Sequence, residues 1–216
     1  MADKREQLDF MLDSGVVAIV RANSSTELMD VVEAIRRGGV NVIEITMTTP
    51  NALEVIRDVS RKFRDEVLTG VGSVLDAETA RAAILAGAEF IVAPTLSLET
   101  IALCNRYGKV VMPGALTPTE ILTAWEAGAD LVKIFPSSLG GPAYIKAVKA
   151  PLPQIQVVPV GGVGVENAGE FIKAGSAAVA VGGSLVNSKL IAAGKFDEIT
   201  QTARKLIAEV RAAREQ

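Results

Sequence analysis

Residues 130–136, Asp-Leu-Val-Lys-Ile-Phe-Pro, form an apolar run in which Lys133 is the one cation. A short run that is apolar on both faces is typical of a buried strand in a parallel sheet. Burying an ammonium without a partner is costly, so we expect the pKa of Lys133 to be lowered. A partly neutral lysine amine attacks carbonyl carbons to form Schiff bases. The structural alternative is a lysine that reaches from the end of the strand to water.

Similar runs rich in β-branched residues recur along the whole chain. There are eight, and their starts lie 19 to 26 residues apart, at 16–21, 40–46, 66–71, 90–94, 109–113, 130–135, 155–160 and 177–182. Each gap has room for one helix and two short loops. Glycines that would end a helix precede several of the runs, namely Gly38-Gly39, Gly87, Gly128 and Gly175. Ser24 to Glu27 and Thr117 to Glu120 have the spacing of a capping box, and Pro118 falls near a first helical position.

Eight βα units with strands that are apolar on both faces predict an α/β fold, a closed (β/α)8 TIM barrel. Residues 1–14 are predicted as an extra N-terminal helix and 196–216 as the final helix. No linker interrupts the chain, so 1–216 is predicted to be one domain. An open doubly wound sheet is the alternative, because the spacing of strands does not reveal closure.

Composition excludes several classes of function. The net charge is −3 with no basic cluster, which argues against nucleic acid and acidic membrane surfaces as partners. No apolar run approaches the roughly 20 residues of a spanning helix. The chain has no histidine, which removes Ser-His-Asp and Cys-His nucleophile systems and the commonest transition-metal ligand, so we expect no metal site. We interpret the single cysteine, Cys104, as a packing residue. A cytoplasmic protein is expected, because one cysteine excludes an internal disulfide and the charged N-terminus lacks a signal-peptide core.

Active sites of such folds lie at the carboxyl ends of the strands. Three ionisable residues, Arg21, Glu44 and Lys133, lie inside or at the end of otherwise apolar runs. Alternation along a strand puts Glu44 on the same face as Val42, and Lys133 on the same face as Leu131. An acid, a lysine and an arginine that converge at one mouth indicate a reacting centre.

Structural alternatives stay open for two of these residues. Glu44 could be a buried carboxylate that pairs with Arg21, and Arg21 could be a surface residue at a strand end. In the functional interpretation, Arg21 binds a substrate carboxylate through two hydrogen bonds, and its charge lowers the pKa of Lys133. Glycine pairs that follow the last two runs, Gly161-Gly162 and Gly182-Gly183 before Ser184, suit a phosphate held by backbone N–H groups.

Six motifs occur in order over nearly the whole chain: Val17–Ala22, Glu44-Ile45-Thr46, Gly70–Ser73, Met112-Pro113-Gly114, Lys133–Pro136 and Gly161-Gly162-Val163. Together they resemble the 2-keto-3-deoxy-6-phosphogluconate (KDPG) aldolases, also called KHG/KDPG aldolases. The resemblance implies a class I, metal-independent aldolase on a (β/α)8 barrel that assembles as a homotrimer. It implies no cofactor, because the substrate is held as a covalent lysine imine.

The resemblance also implies roles for single residues. Lys133 matches the Schiff-base lysine, Glu44 the general acid/base, and Ser73 a threonine near the pyruvyl carboxylate. Phe135 is expected to wall the pyruvyl pocket, and Pro94 to contact the substrate. The phosphate end is expected at Gly161, Gly162, Gly183 and Ser184.

Two positions depart from the family pattern. Thr48 stands where some members have a carboxylate-binding arginine, and Arg21, present in other members, is expected to replace it. Val160 stands where many gluconate-type members have a threonine beside the substrate C4 hydroxyl. Val160 and the stretch 133–138 look more like the 6-phosphogalactonate branch, so the preferred C4 epimer stays open.

The function expected is reversible cleavage of KDPG into pyruvate and glyceraldehyde 3-phosphate, with 4-hydroxy-2-oxoglutarate as a second candidate substrate. The alternative substrate is 2-keto-3-deoxy-6-phosphogalactonate. A sugar-phosphate epimerase of the same fold is a second hypothesis, but such enzymes generally hold a metal through histidines. An assembly scaffold that kept the barrel without activity is the third, and the intact Lys133 and Glu44 argue against it.

Overall fold

The strands found in the structure follow the predicted runs closely. The computed structural model describes residues 3–21 and 25–215, and of residues 25 and 26 the backbone alone. Within these residues the strands are β1 (Val16–Val20), β2 (Val42–Thr46), β3 (Leu68–Gly72), β4 (Phe90–Val92), β5 (Val110–Met112), β6 (Gly114–Ala115), β7 (Val132–Ile134), β8 (Val157–Pro159) and β9 (Val179–Val181). All their pairings are parallel, and every strand residue is buried.

The predicted strand at 109–113 is found as β5, and a further short strand that was not predicted, β6, follows it. Pro113 separates β5 from β6, and proline has no N–H to donate to a neighbouring strand. β5 ends a six-stranded sheet of order β5-β4-β3-β2-β1-β9, whereas β6 begins a three-stranded sheet of order β6-β7-β8. The single closed ladder expected from the sequence is therefore replaced by two hydrogen-bonded groups of strands, and several strands are shorter than predicted.

Backbone contacts connect the two groups on both sides. On one side, the N–H of Lys133 donates to the carbonyl of Pro113 over 2.9 Å. On the other side, Val160 and Ala180 form an isolated parallel bridge, and the N–H of Ala177 donates to the carbonyl of Val157 over 3.0 Å. The result is an α/β fold with a curled parallel sheet.

Helices cover the outside of the curled sheet. They are α1 (Lys4–Ser14), α2 (Ser25–Arg37), α3 (Ala52–Lys62), α4 (Ala77–Ala86), α5 (Leu98–Arg106), α6 (Pro118–Glu126), α7 (Gly141–Lys149), α8 (Ala168–Lys173), α9 (Ser188–Ala192) and α10 (Phe196–Arg214). The capping box of Thr117 and Glu120 is present, with Pro118 in the first turn. The other predicted box involves Ser24, which lies outside the described residues. Gly87 ends α4 with a φ of 111°, as its position predicted.

Two layers of apolar side chains fill the molecule. The larger lies between the strands and the helices. The smaller occupies the inner face of the curled sheet and contains Met11, Val17, Ile19, Val42, Leu68, Phe90, Val92, Val110, Met112, Leu131, Val158, Val160, Ala178 and Ala180. Helix α1 contributes Met11 to this layer. Lys4 and Gln7 of the same helix bind Asp130 and Glu89, which precede β7 and β4, so α1 covers the amino ends of the strands.

No helix in the described parts of the chain is long and apolar enough to cross a membrane.

Packing of the inner layer gives a prediction for Gly70. A Cβ at this position would lie 2.3 Å from the ring of Phe90, so Gly70→Ala overfills the interior. We expect the free energy of unfolding to fall by about 1–3 kcal/mol, measured by urea denaturation. The matched control is Gly182→Ala, because its Cβ would meet Ile19 at an ordinary 3.8 Å. Equal stability of the two variants would contradict this account of the packing.

Candidate active site

An acid and an amine lie on the inner face of the sheet, at the middle residues of β2 and β7. Glu44 follows Val42 by two residues and Lys133 follows Leu131 by two, so alternation turns both inward. Their exposed fractions are 1% and 6%. The two side chains that the sequence singled out as buried charges are therefore both buried in one apolar interior.

The two groups do not pair directly. Within residues 3–21 and 25–215 no ion pair joins them, and Oε2 of Glu44 has no hydrogen-bond partner. The ammonium Nζ of Lys133 lies 4.8 Å from the centroid of the Phe135 ring, a cation–π distance. The structural alternative in which Glu44 pairs with Arg21 does not hold for the described residues either. Among the described residues, neither group is therefore held in an ion pair with the other or, for Glu44, with Arg21.

Burial shifts the pKa values of both groups toward neutrality. It raises the pKa of Glu44 above the ordinary 4.5, while the charges of Lys133 and Arg21 oppose the shift. It lowers the pKa of Lys133 below the ordinary 10.5; here the charge of Arg21 acts in the same direction and that of Glu44 opposes it. Such a pair suits proton transfer, which is most efficient when the pKa values of the groups lie near the working pH.

Arg21 lies exposed just after β1 and lines a cavity of about 290 Å³ with Thr48 and Thr49. The hydroxyl Oγ1 of Thr48 is 2.8 Å from that of Thr46. Thr49 is buried, and its Oγ1 has no hydrogen-bond partner in the described parts of the chain. Hydroxyls beside a guanidinium suit a carboxylate. Thr49 was missed by the sequence reasoning, because nothing in the sequence distinguishes its hydroxyl from that of Thr48.

Ser73 and Pro94 follow the next two strands of the sheet. Ser73 comes directly after β3 with a φ of 60°, a left-handed conformation that is uncommon outside glycine. Pro94 is half-buried after β4, and a Cβ on Gly114 would lie 2.3 Å from its carbonyl. Residues in such sparsely populated conformations cluster at functional sites. The role of Ser73 stays a prediction.

Phe135, Val160 and Gly161 meet at one corner above Lys133. The N–H of Val160 donates to the carbonyl of Ile134 over 3.0 Å, and the hydroxyl of Ser137 donates to the carbonyl of Gly161 over 2.6 Å. A Cβ on Gly161 would lie 3.6 Å from the Phe135 ring. Ser137 thus holds the loop after β8 against the end of β7, a role that its place in the sequence did not indicate.

The predicted phosphate residues lie on the loops after β8 and β9. Gly161 and Gly162 have φ values of 91° and 78°, which favour glycine. Gly183 and Ser184 are exposed after β9. A Cβ on Gly164 would lie 3.3 Å from the hydroxyl of Ser184, so the two loops approach each other. The loop that carries Gly161 and Gly162 therefore lies beside Ser184 at Gly164, while the role of these residues in holding a phosphate stays a prediction.

Cys104 is buried within α5, and burial raises the pKa of its thiol to about 12. This environment agrees with a packing residue. In the described parts of the chain, no three His, Cys, Asp or Glu side chains are grouped as metal ligands.

Comparisons with known proteins agree on one family. The family model described as KDPG and KHG aldolase matches residues 9–202. The 2-dehydro-3-deoxy-6-phosphogalactonate aldolase of Escherichia coli (strain K12) is 39% identical over 201 residues, 93% of this chain and 95% of that protein. The 2-dehydro-3-deoxy-phosphogluconate aldolase of Treponema pallidum (strain Nichols) is 34% identical over 194 residues, 89% of this chain and 91% of that one.

A solved structure extends the similarity to three dimensions. The KDPG aldolase of Legionella pneumophila, with pyruvate captured at low pH as a covalent carbinolamine intermediate, superposes with a TM-score of 0.86 at 25% identity. The alignment covers 93% of this chain and 97% of that one.

The raised pKa of Glu44 predicts how stability depends on pH. The folded protein keeps the Glu44 proton to higher pH than the unfolded chain, so this group's contribution to stability is full below pH 4.5 and is lost as pH rises through the folded pKa. Glu44→Gln removes this loss. We therefore expect the difference in free energy of unfolding, variant minus wild type, to increase from pH 5 to pH 7. The prediction concerns this change with pH and not the value of the difference at one pH.

Urea denaturation followed by circular dichroism at several pH values measures this slope. Glu126→Gln, at an exposed position of α6, is the control for the chemical change. A difference between Glu44→Gln and wild type that stays constant with pH would contradict the raised pKa.

Proposed function

The chain belongs to the family of KDPG and KHG aldolases, and we propose that it cleaves a 6-phosphorylated 2-keto-3-deoxy sugar acid through an imine on Lys133. As an aldolase it is a carbon–carbon lyase. The observation that carries the proposal is that Lys133 and Glu44 are buried in one apolar interior without pairing to each other. A structural ion pair would join the two groups, whereas a reacting pair leaves both open to substrate.

Lys133 acts as the nucleophile. Burial lowers its pKa, which increases the fraction of neutral amine that attacks the C2 ketone. The carbinolamine loses water to give an iminium, and the cationic nitrogen accepts the electron pair of the C3–C4 bond when that bond breaks. The aldehyde product leaves, and the enamine of pyruvate stays on Lys133.

Glu44 acts as the general base and then as the general acid. Directly or through a water, it removes the C4 hydroxyl proton as the C3–C4 bond breaks, and it then returns a proton to C3 of the enamine. Hydrolysis of the resulting imine frees pyruvate. One carboxylate works in both directions because burial raises its pKa toward neutrality.

The remaining residues bind the substrate. Arg21, with Thr48 and Ser73, binds the pyruvyl carboxylate; the cavity that Arg21 and Thr48 line supports the part of these two residues. Phe135 and Pro94 wall the pyruvyl pocket. The backbone N–H groups of Gly161, Gly162 and Gly183 and the hydroxyl of Ser184 hold the phosphate; the approach of their two loops supports this role.

We propose KDPG as the substrate, giving pyruvate and glyceraldehyde 3-phosphate, with the galactonate epimer as a second one. The relative named a phosphogalactonate aldolase is 39% identical and the one named a phosphogluconate aldolase 34%. Val160 favours relaxed selectivity, because its buried methyl groups offer no hydrogen bond to a C4 hydroxyl. The same imine chemistry extends to 4-hydroxy-2-oxoglutarate as a further candidate.

Architecture and assembly complete the proposal. The contacts at Pro113 and at Val160 support a closed (β/α)8 barrel with α1 as an extra helix. In this barrel the ladder of backbone hydrogen bonds is interrupted, but the ring of strands is closed. A cytoplasmic homotrimer without a cofactor is proposed from the family resemblance and the single cysteine. A scaffold without activity would lack turnover, and the next experiment separates the two.

Pyruvate with borohydride is expected to add one reduced pyruvyl group to Lys133, identified by peptide mass spectrometry. Lys133→Met should abolish the adduct and lower turnover by at least roughly 10³, since the covalent catalyst is lost. Lys146→Met, at an exposed position of α7, is the matched control and should leave both unchanged. An adduct on another lysine, or no adduct at all, would refute the proposed nucleophile.

Val160→Thr is expected to shift the ratio of kcat/KM between the two epimers toward the gluconate form by roughly 2- to 13-fold, the value of one neutral hydrogen bond. Borohydride trapping of pyruvate should not change, because the pyruvyl end is untouched. Val165→Thr, in the loop after β8, controls for the chemical change. If Val160→Thr leaves the ratio unchanged, another residue discriminates between the epimers.

A further inference from the structure

Two glycines on β3, Gly70 and Gly72, face the interior next to Glu44. In the register of β2 and β3, Gly70 is paired with Glu44 and Gly72 with Thr46. Gly72 therefore lies two residues further toward the carboxyl end of β3 than the partner of Glu44. Alternation puts both on the same face as Leu68, which belongs to the inner layer. Neither has a φ in the left-handed region, so backbone conformation does not explain the absence of a side chain.

Each glycine leaves a space that one neighbour fills. The space at Gly70 holds the ring of Phe90, with ring carbons 2.3 Å from the ideal Cβ position. The space at Gly72 holds the end of Glu44: Oε1 lies 1.6 Å, Cδ 2.3 Å and Cγ 2.8 Å from the ideal Cβ position. The three nearest atoms at Gly72 thus all belong to the acid, and the carboxyl occupies the volume that a side chain would take.

We propose that Gly72 is a positioning residue, whose missing side chain makes the space that holds the Glu44 carboxyl in place for proton transfer. This inference rests on the proposed acid–base role of Glu44. The Phe90 ring fills the space at Gly70, directly across from Glu44, so the carboxyl extends toward Gly72 and the carboxyl ends of the strands. A methyl group at Gly72 would force the carboxyl to withdraw by more than roughly 1 Å, a misplacement that can cost about 10² in rate.

The test is Gly72→Ala, with two readouts of the reaction of pyruvate. Borohydride trapping on Lys133 should persist at saturating pyruvate, because the three atoms nearest to the new methyl all belong to Glu44 and none to Lys133. Exchange of deuterium into C3 of pyruvate should slow by roughly 10². A merely structural role would lower both readouts together or neither. Unchanged exchange in a folded Gly72→Ala variant would overturn the inference.

Gly70→Ala is the matched control, because it adds the same methyl group on the same face two residues away. It overfills the space of Phe90 and leaves the Glu44 carboxyl in place. We expect lower stability with exchange within about 3-fold of wild type. Slowing of exchange equal to that of Gly72→Ala would attribute both effects to general packing and would refute the positioning role.

A second test combines Gly72→Ala with Glu44→Asp. The shorter acid withdraws from the added methyl. The factor by which Glu44→Asp slows exchange should therefore be roughly 10 times smaller in the Gly72→Ala background than in wild type. Equal effects in the two backgrounds would contradict a shared space. If Gly72→Ala alone does not fold, adding Glu44→Ala should restore folding, and failure to do so would also overturn the inference.

The outcomes distinguish this inference from the proposed function. Absence of pyruvate trapping and of C3 exchange in the wild-type protein would refute the proposed aldolase chemistry itself. Wild-type trapping and exchange together with full exchange in Gly72→Ala would leave that chemistry intact and remove only the role of Gly72.

Discussion

The candidate site depends on two ionisable groups, Lys133 and Glu44, that are buried together in an apolar interior and, within residues 3–21 and 25–215, form no ion pair. Removing a charge from water is expensive, and a direct ion pair is the usual compensation. In this chain Lys133 and Glu44 lack it, so burial moves both pKa values toward neutrality. The apolar layers on both faces of the sheet provide the stability that keeps such an arrangement folded. Burial without an ion pair therefore lowers the stability of the fold and at the same time suits the two groups to proton transfer.

Much of this could be predicted from the sequence, because the informative signals were local. Lys133 and Glu44 were recognisable as charges inside runs that are otherwise apolar, and the strands β2 and β7 formed where those runs lie. Helix ends followed the same logic, as at the capping box of Thr117. The division at Pro113 was also visible in principle, since proline cannot donate a backbone hydrogen bond.

Other features depend on contacts between residues far apart in sequence, and no local pattern predicts them. Examples are the hydroxyl of Thr49, which has no partner among the described residues, the bond from Ser137 to Gly161 and the volume beside Gly72. A glycine at the end of a strand normally suggests a turn or a bulge. That Gly72 instead leaves room for an acid on the neighbouring strand is visible only once the register of β2 and β3 is known.

The pair of glycines on β3 explains how a closely packed interior can accommodate a reactive carboxylate at all. Interiors are packed as densely as crystals of small molecules, so a side chain as long as glutamate needs a space made by its neighbours. Phe90 fills the space at Gly70 and leaves Glu44 the space at Gly72. Glycine weakens a strand, by roughly 0.5–1 kcal/mol relative to alanine in many contexts. With glycine at position 72 the sheet therefore gives up stability to hold one carboxyl group in place, which is the expected cost of a site prepared before its substrate arrives.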